Sequence, residues 1–218
     1  MDYKNTFAFL LELKKNNNKE WFDANKKRYE AVKKDFAGLI ETWIKEVGKF
    51  DETVHGLEPK NCIFRINRDV RFGKDKSPYK TNMGGAMAAG GRKSGKAGYY
   101  LHLEPSGGSF IAGGVHTPEP DVLKKVRQEI DYNFKEFSAI IAHKDFKKHF
   151  GQLTGDKLVT VPKGYDTANP AIHLLKHKSF LAWKKYTDKE VLDTGFFNDV
   201  MAACKAMKPL DDFLNRAF

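Results

Sequence analysis

From Trp21 to Val47 apolar side chains recur at every third or fourth position, through Phe22, Tyr29, Val32, Phe36, Leu39, Ile40, Trp43 and Ile44. A 3.6-residue period held for about seven turns is satisfied by an amphipathic helix with one buried face. It predicts a long helix starting at Trp21 and ending near Gly48. Ahead of it, Phe7, Leu10 and Leu11 predict a shorter helix over residues 6–15, and Asn18 is placed to cap the long one. Helical stripes of this kind need another layer to cover them.

The period then changes. In residues 62–72, Phe64, Ile66, Val70 and Phe72 alternate with Arg65, Asn67, Asp69 and Arg71, which predicts a strand. Arg68 falls on its apolar face unless the strand ends or bulges there. Residues 99–104 and 109–115 read as a hairpin around Pro105-Ser106-Gly107-Gly108. Eleven of the eighteen glycines lie between 73 and 114, and residues 84–98 read as a glycine-rich connection. Beyond it, Thr117-Pro118 predicts a helix start with Val122, Val126 and Ile130 buried. Asn133 is placed to cap another helix carrying Phe134, Phe137, Ile140 and Ile141. Residues 158–161 and, more weakly, 180–186 are strand candidates, and 196–218 reads as a helix broken at Pro209. Helices on both sides of a β-rich centre predict an α+β fold: a central antiparallel or mixed sheet flanked by N-terminal and C-terminal helices, in one domain over 1–218.

The net charge of +10 is concentrated. Residues 60–100 hold ten basic side chains against only Asp69 and Asp75, and so carry +8 of the total. Four of the seven arginines lie between 65 and 92 in a chain otherwise rich in lysine. Clustered guanidinium groups offer planar, bidentate anion contacts that scattered lysines do not. The candidate anion-binding residues are therefore Arg65, Arg68, Asp69, Arg71, Lys74, Lys76, Tyr79 and Lys80, with Asp69 able to hold one guanidinium while another faces a ligand. Arg65 and Arg71 are expected on one polar face within a cleft, over a buried Phe64 and Ile66. The alternative is a network of Arg–Asp pairs that stabilises a sheet edge.

The segment FRINRDVRFGKDKSPYKTNMG, with NNNKEWFDANKKRYE before it and PKGY and LLKHKSF after it, resembles an uncharacterised family, domain of unknown function 2461. The resemblance covers nearly the whole chain, from Phe7 to Phe218. Gly73 departs from it, since a serine is expected there and a hydroxyl donor is lost. The family implies a recurring stand-alone fold and supplies no established activity.

Other motifs carry less. Gly90-Gly91-Arg92-Lys93-Ser94-Gly95-Lys96 fits the spacing of a phosphate-binding loop, but Ala97 replaces the metal-binding hydroxyl and residues 83–89 do not read as a buried strand. A basic loop able to close over a ligand is the better reading. His173 and His177 share a helical spacing without a third metal ligand. His102 and Glu104 share one strand face, followed by His116, and could supply a general acid or base. No catalytic residue, metal or cofactor can be assigned from the residues, and whether the chain is an enzyme stays open. Two cysteines exclude a disulfide scaffold, and no apolar run is long enough to span a membrane. The start, with Asp2 and Glu12, does not read as a secretory signal. The expectation is a cytoplasmic protein with a small anionic ligand. Nucleic acid stacking on Tyr79, Tyr99 and Tyr100 is the alternative partner, and a non-catalytic scaffold the third reading.

Overall fold

A computed structural model describes residues 1–71 and 74–218. The expected Phe72 on an apolar strand face and the departure at Gly73 lie outside the described residues. The N-terminal layer consists of α1 (Tyr3–Lys15), α2 (Lys19–Ala24), α3 (Lys26–Val47) and α4 (Pro59–Cys62). Asp2 caps α1 and Asn18 caps α2, each accepting a backbone N–H at 2.9 Å. The expected single helix from Trp21 is divided at Asn25, whose side-chain amide donates to the Trp21 carbonyl at 2.9 Å. The division lets Trp21 turn toward Phe9 while Phe22 stacks on Tyr79, with ring centroids 5.9 and 3.9 Å apart.

The sheet contains β1 (Met83–Ala88), β2 (Gly98–Leu103), β3 (Ser109–Val115) and β4 (Phe180–Tyr186), antiparallel throughout in the order β1-β2-β3-β4. The hairpin of β2 and β3 and the strand β4 stand where the alternation puts them. Between β3 and β4 run α5 (Pro120–Tyr132), α6 (Phe134–Ala142), α7 (Lys144–Phe150) and α8 (Ile172–Leu175); α9 (Asp188–Leu192) and α10 (Phe196–Leu214) come after β4. The fold is thus α+β, an antiparallel sheet with helices before and after it.

Among the described residues of the expected strand, 62–71, none belongs to a strand. The chain touches β1 at a single bridge, Ile63 to Gly85, and closes on itself at another, Asn67 to Tyr79. The reason lies in its two aspartates: Asp69 accepts the Arg71 N–H at 3.3 Å, and Asp75 accepts the Ser77 N–H at 2.9 Å and its hydroxyl at 2.6 Å. Such turns compete with a sheet ladder for the backbone. Ile66 is buried, but Phe64 is exposed. Residues 83–88, read as part of a loop, are instead a buried strand whose small side chains hide its identity. A Cβ on Gly85 would lie 2.7 Å from Ile40 Cδ1 of α3, and one on Gly84 would lie 2.8 Å from the Tyr100 hydroxyl. Residues 158–161 form no strand, and Val159 is fully outside the core. The helix after β3 opens at Pro120, not at Thr117-Pro118. α10 continues through Pro209, because Met207, Leu210, Phe213 and Leu214 are buried on both sides of it and hold its axis.

One face of the sheet supplies Met87, Tyr99, Leu101, Ile111, Phe180 and Ala182 to the core, under α3 and α10. The fit is close: a Cβ on Gly113 would fall on the Met207 sulfur of α10. The opposite face carries the site.

Candidate functional site

The strand register arranges that second face in three rows. Gly84, His102, Phe110 and Lys185 form the first, Ala86, Tyr100, Ala112 and Trp183 the second, and Ala88, Gly98, Gly114 and Leu181 the third. The third row is almost bare of side chains, so it leaves a floor. Walls rise from the 91–96 loop, from His116 and from the 154–156 segment, and the groove they enclose has a volume of about 1000 Å³. Among the described residues, no helical one lines it.

The first two rows and Phe64 form a line of rings. Phe64 meets Tyr100 edge-on at 5.9 Å, Tyr100 meets Phe110 at 5.6 Å, and Phe110 meets Trp183 edge-on at 5.7 Å. His102 stacks on Phe110 at 4.6 Å. Cations surround the line: Lys80 Nζ and the Arg92 guanidinium lie 5.5 and 5.9 Å from the Phe64 ring centre, and Lys185 Nζ lies 5.1 Å from Trp183. Arg92 is held in place by the carbonyls of α4: its N–H donates to Asn61 at 3.1 Å and its side chain to Lys60 at 2.6 Å. Positive φ at Gly90, Gly91 and Gly95 lets the loop fold this tightly, and Asn215 ties its end at Ala97. The loop runs into β2, whereas a phosphate-binding loop would lead into a helix.

Along β2 runs a chain of hydrogen bonds. Thr81 Oγ1 donates to Glu104 Oε1 at 2.8 Å, His102 Nε2 to Glu104 Oε2 at 3.1 Å, and the Tyr100 hydroxyl to His102 Nδ1 at 3.0 Å. The carboxylate can only accept, so it selects the tautomer protonated at Nε2 and leaves Nδ1 free to accept the phenol. Burial lowers the His102 pKa in spite of Glu104, which keeps the ring neutral at physiological pH. Burial and then Glu104 push the Tyr100 pKa up to about 12.

Of the eight residues singled out in the basic segment, Lys80 lines the groove. Arg65 is exposed, and its charge acts on Lys80 and on Asp69. Arg68 pairs with Asp75. Asp69 accepts from Arg71 Nε at 2.9 Å and from its terminal nitrogen at 2.6 Å, and Lys76 Nζ donates to the Val70 carbonyl at 2.9 Å. Lys74 is exposed. Tyr79 is buried between Phe22 and the side chain of Asn17, which bonds both its N–H and its carbonyl at 3.1 and 2.9 Å. The segment therefore does not present Arg65 and Arg71 together in a cleft. Lys80 enters the groove because the Asn67–Tyr79 bridge returns the chain to the sheet.

Sequence reading marked His102, Glu104, His116 and the basic loop, but it missed Phe110 and Trp183. Their signal was present as position parity: Tyr100, Phe110 and Trp183 each occupy the outward register of an alternating strand. His177 is buried, and its Nδ1 lies 3.2 Å from the Ser179 carbonyl, away from any metal-binding arrangement with His173. Among the described residues no group of three His, Cys, Asp or Glu side chains is placed to hold a metal. None of the described helices is long and apolar enough to cross a membrane.

No curated protein and no solved structure matches the chain significantly. A family model does: residues 5–213 match that of the conserved hypothetical proteins DUF2461, and with nearly its whole length matched the chain belongs to that family.

Proposed function

We propose that the groove binds a small anionic ligand, a phosphate or carboxylate on an apolar or aromatic body. The charge lies against Lys80 and Arg92, and the body rests on Tyr100, Phe110 and Trp183. The observation that carries this reading is Lys80: its ammonium is half-buried in an aromatic wall and makes no ion pair among the described residues. Burial, and then Arg65, press its pKa below the usual lysine value, as expected of a cation whose partner arrives from solution. A cytoplasmic setting accords with two free, buried thiols, Cys62 and Cys204.

The test is a thermal melt of wild type and of the Lys80→Met/Arg92→Met double variant with phosphate, pyrophosphate, sulfate and adenosine monophosphate. Stabilisation of wild type that grows with anion concentration and is absent from the variant supports the site. A wild type indifferent to all four, or a variant that shifts equally, overturns it.

A second reading, single-stranded nucleic acid on the same face, draws on the line of rings across an antiparallel sheet. Tyr79 and Tyr99, the other expected stacking residues, are buried. It requires oligonucleotide affinity that exceeds affinity for heparin and falls steeply with salt.

A further inference from the structure

We propose that Tyr100 is a nucleophile, set by His102 and Glu104 to attack the phosphorus of a small phosphate ester held in the groove. This rests on the reading of the groove as an anion site. Three observations converge. The phenol donates to the one ring nitrogen of His102 that can accept, and Glu104, itself fixed by Thr81, holds the other. This is the arrangement in which a hydroxyl loses its proton to a base as it attacks, with a carboxylate orienting the base. The hydroxyl lies over Gly84, where any side chain would displace it. Tyr100 and the cations Lys80 and Arg92 also border the same groove around the Phe64 ring, so charge developing on a phenolate or on phosphate oxygens has nearby compensation.

The step balances without a further reagent. The Tyr100 oxygen bonds to phosphorus, the ester P–O bond breaks, and the phenolic proton passes to His102 Nδ1. The leaving oxygen, in line on the far side of phosphorus, takes a proton from water, and the imidazolium gives its own to solvent. Water, activated by the neutral imidazole, later cleaves the phosphotyrosyl bond and restores the phenol.

The experiment uses an electrophile that needs no knowledge of the substrate. The intact protein is treated with 4-(fluorosulfonyl)benzoate, which forms an O–S bond with expulsion of fluoride, and in parallel with neutral benzenesulfonyl fluoride. Labelled tyrosines are located by mass spectrometry, and Tyr132, 73% exposed, is the internal reference. Expected is labelling of Tyr100 well ahead of Tyr132. In Glu104→Gln and His102→Ala the Tyr100 rate should fall by roughly 10²-fold, the size of a general-base contribution, while Tyr132 stays unchanged. Added imidazole should restore the rate in His102→Ala, a rescue that a merely structural histidine would not show. Tyr100 reacting no faster than Tyr132, or at the same rate in Glu104→Gln, overturns the proposal. Rapid Tyr100 labelling by the neutral reagent, with no advantage for the anionic one, keeps the nucleophile and refutes the anion site.

Discussion

Tyr99 and Tyr100 are neighbours on β2, yet they belong to different parts of the molecule. Tyr99 points into the core, and its hydroxyl donates at 2.9 Å to the buried Asp51. Burial, then Asp211 and Asp51, drive its pKa far up, so it holds its proton. Tyr100 points to the groove and donates to a histidine that can accept its proton. Identical side chains one position apart thus become a structural tie and a candidate reactive group. Strand parity, and the layer that does or does not cover each face, makes the difference.

The comparison is broken most directly by truncation. Tyr99→Ala should cost ~3–5 kcal/mol, as for large aromatic residues removed from cores. Tyr100→Ala should cost about 1 kcal/mol, the scale of a cross-strand pair. Chemical denaturation of the two variants measures both, and equal losses would mean that the groove face is as much a core as the other.

Glycine substitution probes the same asymmetry with a single methyl group. Gly113→Ala places that methyl on Met207 and against the Gly98 carbonyl, so a loss of ~1–3 kcal/mol is expected from overpacking. Ala112→Ser, one residue away and facing the groove, should stay within about 0.5 kcal/mol. A tolerated Gly113→Ala would show that α10 can move off the sheet.

Asp211 sharpens the comparison from the core side. It is buried on α10, neither carboxyl oxygen has a hydrogen-bond partner among the described residues, and the neighbouring Gly114 backbone offsets only part of the burial. Burial raises its pKa well above the ordinary value of 3.8, against which nearby Lys208 is a weak counterweight and Asp51 an added repulsion. An acid with a raised folded pKa contributes its full stability below the ordinary value and loses it as pH rises toward the raised one. Asp211→Asn should therefore match wild type near pH 4. By neutral pH it should melt at least about 2 °C higher, the effect of ~1 kcal/mol in a domain of this size. A variant less stable than wild type at pH 7.5 would mean that the carboxylate is charged and paired.

The smallest effect is expected at the surface pair of Asp69 and Arg71. The Arg71 side chain is 74% exposed and that of Asp69 44%, so Arg71→Ala should move the melting temperature by no more than about 2 °C and should leave any anion-dependent shift intact. Loss of that shift in Arg71→Ala, read in the same melts, would return the anion site to the basic segment.

Much of the fold is legible in the chain. The apolar stripes of α1, α3 and α5 and the alternation of β2 and β3 are local patterns, set by the geometry of a single element, and they appear near where the spacing puts them, apart from the division at Asn25, an exposed Leu11 and a half-buried Val122. β1 is not legible, because Gly84, Gly85, Ala86 and Ala88 carry too little side chain to show a period. Their smallness answers to Ile40 above and Tyr100 below, partners distant in sequence. Residues 62–72 alternate like a strand, but alternation does not reveal that Asp69 and Asp75 will take the backbone for turns. Pro209 reads as a break, since the packing that carries α10 through it comes from elsewhere in the core.

The site divides along the same line. The excess of cations between residues 60 and 100 and the shared strand face of His102 and Glu104 can be read from the chain alone, because charge and i, i+2 parity are local; the Tyr100 hydroxyl joins them only in the structure. That Lys80 and Arg92 meet at Phe64, that Phe110 and Trp183 extend the row of rings begun by Tyr100, and that Arg68 and Arg71 turn to their own aspartates was decided only by the tertiary structure. The ring and cation contacts join residues as far apart in the chain as Phe64 and Trp183, and their energies depend on the register and on which face the helices cover. A one-dimensional pattern contains neither.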